Sequence, residues 1–230
     1  MPTEPDNSTT WLVVPAYNEA SVILRVVADL VRRSYRVVVV DDGSTDDTGR
    51  KASAAGAAVV THPINLGQGA ALQTGITFAL RHDAEFIVTF DADGQHRAVD
   101  VAGLVAALKV NKADFALGSR FLGSCIAMPK SRRLLLKAAT WFTRVSTGMD
   151  ITDTHNGLRG MTQRGASAIT LRQNRMAHAS EFLTQIAGSG LRCVEVPVTI
   201  EYTRYSLAKG QKLGDSLRVL VDLSAERLHR

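Results

Sequence analysis

Apolar and amphipathic stretches take turns along this chain, and each apolar run is short enough to be a strand. Residues 11–15 form an apolar run closed by Pro15, and 20–32 carry an amphipathic pattern, which predicts a strand, a loop and a helix. Residues 37–40 are four valines, a run suited to a strand buried on both faces of a parallel sheet. Further strands are predicted over 57–61, 86–90 and 114–118, with helices over 72–81 and 99–110 between them. Helices over 131–146, 161–171 and 179–187 then lead to a strand over 193–200. Strands alternating with helices at this spacing predict an α/β fold, a doubly wound, mainly parallel sheet with helices on both faces. One domain is expected over 11–212, with its halves meeting near 121. It lies between a polar tail, 1–10, and an amphipathic helix over 213–230 that aligns Leu213, Leu217, Leu220, Val221 and Leu228.

Polar residues follow the strands in a way that points to one place. Asn18 and Glu19 follow the first, Asp41 and Asp42 the second, Asp91 and Asp93 the strand at 86–90, and Arg120 the strand at 114–118. Ligands in such sheets sit beyond the carboxyl ends of the strands, so these groups are expected to face one edge and form one site. If extended geometry continues past Phe90, Asp91, Asp93 and Gln95 offer oxygens to one side, a donor set for Mg²⁺ or Mn²⁺ holding a diphosphate. Asp-x-Asp alone reads as an acidic turn; the other strand ends change that reading. Ser44 and Asp47 have capping-box spacing, which leaves Asp41 and Asp42 without a structural role. The stretch 65–71 lacks the third glycine of a dinucleotide fingerprint. It reads either as a loop that lets backbone approach a ligand or as a tight helix start.

Composition then narrows the class. With 45% hydrophobic and 21% charged residues over 230 positions, the chain has the make-up of a soluble globular domain. Cys125 and Cys193 fit neither a disulfide framework nor a zinc spacing, and the polar N-terminus lacks signal-peptide order, so a cytoplasmic location is expected. Residues 52–80 contain no charged side chain, but Pro63, Gly67 and Gly69 interrupt them, which excludes a membrane span there. The net charge of +5 is concentrated at Lys130, Arg132, Arg133, Lys137 and Arg144 and again at Arg204, Lys209 and Lys212. Such clusters suit an anionic surface or a phosphorylated ligand, and no nucleic-acid-binding motif accompanies them. Along 131–146, Leu134, Leu135, Ala138, Trp141, Phe142 and Val145 recur at helical spacing. Both a core-packed helix and an interfacial one have this pattern.

Six motifs together carry a family resemblance. They are Val14-Pro15-Ala16-Tyr17-Asn18-Glu19, Val40-Asp41-Asp42-Gly43-Ser44-Thr45-Asp46, Asn65-Leu66-Gly67-x-Gly69-x-Ala71, Asp91-Ala92-Asp93-Gly94-Gln95-His96, Gly118-Ser119-Arg120-Phe121 and Asp153-Thr154-x-x-Gly157-Leu158-Arg159. In this order they resemble the inverting family 2 glycosyltransferases of GT-A fold, in the polyprenyl-phosphate branch similar to dolichol-phosphate-mannose synthase.

The resemblance implies a nucleotide pocket at Pro15, Ala16, Tyr17, Glu19, Asp41, Asp42, Gly69, Asp91 and Ala92. It implies a metal–diphosphate site at Asp91, Asp93 and Gln95, holding Mg²⁺ or Mn²⁺. Asp93, Arg120 and Asp153 become the implied catalytic residues. The acceptor phosphate falls to Arg120 and one of Arg132 or Arg133, with Arg204 and Lys209 on a closing loop. Expected partners are a UDP- or GDP-sugar and a polyprenyl phosphate, met by peripheral contact at the inner membrane face. Many relatives continue into transmembrane helices; here either direct contact or a small membrane-protein partner is expected instead, and a homo-oligomer stays open. A phosphate acceptor is already ionised and needs no general base, whereas a glycan hydroxyl acceptor, the competing reading, would use Asp153 as one. A sugar nucleotidyltransferase would need a Gly-rich loop with Arg and Lys after the first strand, which is absent. A non-catalytic nucleotide-binding partner is disfavoured by the intact Asp91, Asp93, Gln95 and Arg120.

Overall fold

A computed structural model describes residues 7–173, 177–203 and 205. Seven strands form one sheet in the order β3-β2-β1-β4-β6-β5-β7. The first four are β1 (Thr10–Ala16), β2 (Arg36–Asp41), β3 (Ala58–Thr61) and β4 (Phe86–Thr89), all mutually parallel where they pair. Next come β5 (Phe115–Ile126), β6 (Arg159–Thr162) and β7 (Cys193–Glu201). β6 runs antiparallel to both β4 and β5, and β5 pairs parallel with β7.

Successive residues of β1 serve opposite faces of the sheet, as strand geometry requires. Leu12 and Val14 join a core with Ile23, Val27 and Leu30 of α1 (Ile23–Arg32) and Leu104 and Leu108 of α4 (Asp100–Asn111). Val13 joins the other core, with Leu72 and Ile76 of α3 (Gln68–Arg81) and Phe182 and Leu183 of α7 (Ala177–Ser189). Short helices α2 (Thr48–Ala54) and α6 (Gln163–Ser167), with the longer α5 (Lys130–Thr147), complete the fold.

Three expectations are corrected. The helix predicted over 161–171 is β6 followed by the five-residue α6, because residues 159–162 are drawn between β4 and β5 as a ladder strand. The capping box does not form: Ser44 Oγ accepts from the Asn18 amide at 3.0 Å, and α2 begins only at Thr48 with no side-chain cap. The strand predicted to end at Gly118 continues to Ile126, held by β7 across an irregularity between Ser119 and Ser124.

α5 buries Leu136, Ala139, Thr140 and Thr143 and leaves Leu134, Trp141 and Val145 at 72%, 67% and 65% exposure, so these three large apolar residues do not pack into a core. Among the described residues no helix is long and apolar enough to cross a membrane. The expected helix over 213–230 lies outside the described residues.

Candidate active site

A cavity of about 440 Å³ opens beyond the carboxyl ends of β1, β2 and β4, beside the point where strand order reverses. Pro15, Ala16, Tyr17, Glu19, Asp42, Asp91, Ala92, Asp93, Gln95, Arg120 and Arg132 all line it. Gly67 and Gln68, at the start of α3, form another part of its wall, so the positive end of that helix faces the cavity.

On the β1–β2 side the carboxylates are fastened to backbone. Asp42 accepts from the amides of Leu66 (2.9 Å) and Gly67 (2.8 Å) and pairs with His62 Nδ1 at 2.7 Å. The aspartate therefore holds the 65–67 loop, the structural role that sequence reasoning did not assign. Glu19 donates its amide to Thr48 Oγ1 at 2.8 Å and accepts from the Tyr205 hydroxyl at 2.6 Å.

The extended geometry does not continue past Thr89, where β4 ends: a turn at 92–94, with Gly94 at φ +73°, follows, and Asp91 and Asp93 both line the cavity. Asp91 Oδ1 accepts from Gln68 Nε2 at 3.1 Å, and Oδ2 lies 3.2 Å from His96 Nε2. Burial alone would raise its pKa; the His96 hydrogen bond and the nearby charges of His96, His178 and Arg159 outweigh burial and hold it below the usual range. Asp93 is shifted the other way, by burial and by the charge of Asp91. Gln95 donates to both Asp93 oxygens, from its amide at 3.0 Å and from Nε2 at 2.6 Å. Gly157 is required beside this pair, because a Cβ there would fall 2.0 Å from Asp91 Oδ2.

Among the described residues no three His, Cys, Asp or Glu side chains form a closed metal cage. The donor set nonetheless fits a cation that takes one or two carboxylates and fills its shell with water and phosphate, as Mg²⁺ does. The carboxylates of Asp91 and Asp93 lining one cavity, with Gln95 beside them, are the observation that supports the fit.

The opposite wall is cationic and held by side chains. Arg120, only 6% exposed, gives Nε to Asp153 Oδ2 at 2.6 Å, Nη2 to the His155 carbonyl at 2.6 Å and Nη1 to the Tyr202 hydroxyl at 2.7 Å. Burial disfavours its charge, but Asp153 and Tyr202 more than compensate and its pKa is raised. Glu195, itself shifted up by burial, accepts from the amides of Thr152 (2.9 Å) and Asp153 (3.2 Å) and so seats the aspartate. His155 also lines the cavity; burial and then the charge of Arg159 push its pKa down to about 4, so it is neutral at pH 7.

Several sequence assignments are displaced. Asp41 does not line the cavity: its Oδ1 accepts from the Ser44 amide at 3.0 Å, and its Oδ2 lies 2.6 Å from where a Cβ on Gly49 would be. Gly69 packs against residue 173 and His178, where a Cβ would meet the Gln173 carbonyl at 2.0 Å; Gly67 takes the place at the cavity. Arg133 is exposed and does not line the cavity, which leaves Arg132 as the one of the pair that does. Asp153 is 3% exposed and bound to Arg120 through both guanidinium and backbone, so it positions that arginine and is not placed as a general base. Arg204 and Lys209 lie outside the described residues. Sequence reasoning missed His155 and gave Tyr202, at the start of the closing loop, no role of its own. The only signal for His155 was its place inside the 153–159 motif, and for Tyr202 its place at the end of the last strand.

Comparison with known proteins decides the family, since residues 11–165 match glycosyl transferase family 2. The chain belongs to that family. A UDP-N-acetylglucosamine–dolichyl-phosphate N-acetylglucosaminyltransferase of Methanococcus voltae is 30% identical to this family 2 protein, over 87% of this chain and 88% of its own. A polyprenol monophosphomannose synthase of Mycolicibacterium smegmatis is 28% identical over 91% of this chain and 83% of its own. An uncharacterized protein of Methanocaldococcus jannaschii reaches 35%, over 95% and 92%. Among solved structures, glucosyl-3-phosphoglycerate synthase from Mycobacterium tuberculosis, with Mn²⁺, UDP-glucose and phosphoglyceric acid, superimposes with a TM-score of 0.72. Its identity is 20%, over 95% of this chain and 79% of that one, and the shared fold is GT-A. This family 2 protein is accordingly a glycosyltransferase.

Proposed function

We propose that the protein transfers a sugar, with inversion, from a nucleotide diphosphate sugar to a polyprenyl phosphate at the inner face of a membrane, using Mg²⁺ or Mn²⁺. The observation that carries this reading is the facing of Asp91 and Asp93 by Arg120 and Arg132 in one cavity. Acids suit a cation-held leaving group, and guanidinium groups suit an incoming phosphate. Relatives named for dolichyl-phosphate and polyprenol-phosphate glycosylation support the same acceptor class.

In this reading Glu19, Tyr17 and the 65–67 loop hold the nucleoside, and the start of α3 favours the diphosphate. Asp91 and Asp93, with Gln95, would hold the divalent cation, which when bound offsets the charge that grows on the departing nucleoside diphosphate. Arg120 and Arg132 orient the acceptor phosphate for attack at the sugar carbon. Its oxygens are already ionised, so no side chain has to take a proton, which agrees with an Asp153 fully engaged by Arg120. The exposed Leu134, Trp141 and Val145 of α5, flanked by Lys130, Arg133, Lys137 and Arg144, supply a surface suited to anionic lipid headgroups.

The test is a panel of UDP- and GDP-sugars offered with polyprenyl phosphate and Mn²⁺, reading release of nucleoside diphosphate. Release that depends on the lipid phosphate and gives a product labile to mild acid is expected. Transfer only to a glycan hydroxyl, giving an acid-resistant glycoside, would replace this function with the competing one.

A further inference from the structure

Arg120 and Arg132 reach the cavity from different elements, β5 and the first turn of α5, and their like charges oppose a close approach. One side chain touches both. The Tyr202 hydroxyl accepts from Arg120 Nη1 at 2.7 Å, while its ring lies under Arg132, with Cζ 5.2 Å from the centroid. Tyr202 is itself fixed: it is 6% exposed, it follows the last residue of β7, and its amide donates to the Ile126 carbonyl at 3.1 Å. Arg120 has Asp153 and the His155 carbonyl besides, but among the described residues Arg132 makes no ion pair. The aromatic face is therefore the principal contact shown for its guanidinium, and such a contact strengthens as water is excluded.

We propose that Tyr202 is the positioning residue of the acceptor site, its hydroxyl and its ring setting Arg120 and Arg132 as a pair that grips one phosphate group. The proposal rests on the acceptor reading above. Tyrosine is the residue type this needs, because it joins a hydroxyl acceptor and a π face in one rigid side chain. Phenylalanine keeps only the second and leucine neither, which separates the two contacts.

The experiment measures kcat/KM for polyprenyl phosphate and KM for the sugar nucleotide in Tyr202→Phe and Tyr202→Leu, with thermal unfolding as a control. Tyr202→Phe is expected to lose about tenfold in kcat/KM for the acceptor, the scale of a hydrogen bond to a charged group. Tyr202→Leu should lose about a hundredfold, with donor KM within about twofold of wild type in both. Adding Arg132→Ala to Tyr202→Leu should cost little more, since the ring contact is already gone. Variants with wild-type acceptor kinetics would overturn the proposal. So would a fall in kcat with both KM values unchanged, or full additivity with Arg132→Ala, because either is what simple loss of folded protein or an unrelated role gives.

Binding of inorganic phosphate by calorimetry separates this from the function itself. If no sugar reaches polyprenyl phosphate yet Tyr202→Leu weakens phosphate binding about tenfold, the acceptor reading fails and the positioning role stands. Equal phosphate affinity in wild type and variant, or none in wild type, overturns the positioning role as well.

Discussion

The two walls of the cavity are built by different means. On the side that the proposed function gives to the nucleotide, two of the carboxylates are anchored to main-chain amides, Asp42 to Leu66 and Gly67 and Asp93 to Gln95, while Asp91 is held by the side chains of Gln68 and His96. On the side that it gives to the acceptor, arginines are anchored largely to side chains, Arg120 to Asp153 and Tyr202, and Arg132 to the ring of Tyr202. A backbone anchor follows from the strand and loop path itself and is shared by any chain with that path. A side-chain anchor depends on distant residues being of the right type, so the acceptor wall should be more sensitive to substitution and the donor wall more sensitive in chemistry than in stability.

That contrast is most exposed at Asp153. Replacing it by Ala leaves the buried Arg120 without its counter-charge, with an expected loss of about 3–5 kcal/mol in denaturant unfolding. A loss below about 1 kcal/mol would show that the acceptor wall is not held by this pair. Next in size, Asp93→Ala should lower kcat about 10²–10³-fold, equivalent to about 3–4 kcal/mol of barrier, without lowering stability. Wild-type activity of that variant with added Mn²⁺ or Mg²⁺ would remove Asp93 from the chemistry.

A third effect is pH-dependent. His155 has a folded pKa of about 4 against an ordinary 6.5, so the unfolded chain takes up its proton first as pH falls. The stability due to neutral His155 is therefore complete above pH 6.5 and lost toward pH 4, by at most about 3 kcal/mol. His155→Gln should unfold with a shallower acid slope in that window, and an unchanged slope would contradict the assignment. The smallest expected effect discriminates the adjacent arginines. Arg132→Ala should cost about tenfold or more in kcat/KM for the acceptor, and the exposed Arg133→Ala less than about twofold. Equal effects would mean that the cavity does not choose between them.

The same contrast governs how much was legible in the sequence. β1, β2 and β4 are apolar runs followed at once by polar residues, and their order along the chain already placed Glu19, Asp42, Asp91 and Asp93 on one edge. β6 was not legible: Arg-Gly-Met-Thr has no strand pattern of its own and becomes a strand only through β4 and β5. Asp41 and Asp42 could not be told apart by type, because what separates them is which way each side chain points from the end of β2. Likewise Gly67, at φ +93° before α3, and Gly69, inside that helix against residue 173 and His178, are told apart only by the path of the folded chain. Tyr202 was legible only as the start of the closing loop, since its partners lie 82 residues away at Arg120 and on α5.

The antiparallel pairing of β5 with β6 has a consequence for how the family can change. The Gly118 amide donates to the Leu158 carbonyl at 2.9 Å, and Leu117 stands opposite Arg159, so β5 and β6 close the base of the segment between them, while β5 itself runs on beside β7 to Ile126. Everything between, including α5 and the cationic wall, is in topological terms the loop of one very wide hairpin. Such an excursion can be lengthened or exchanged at a closure cost that grows only slowly with its length, while the strands that carry the nucleotide wall keep their register. The excursion is nonetheless pinned from outside by Tyr202 and Glu195 and touches Asp91 through Gly157, so a change of its length is absorbed in the α5 region, whereas exchange of the whole segment has to bring those three contacts with it.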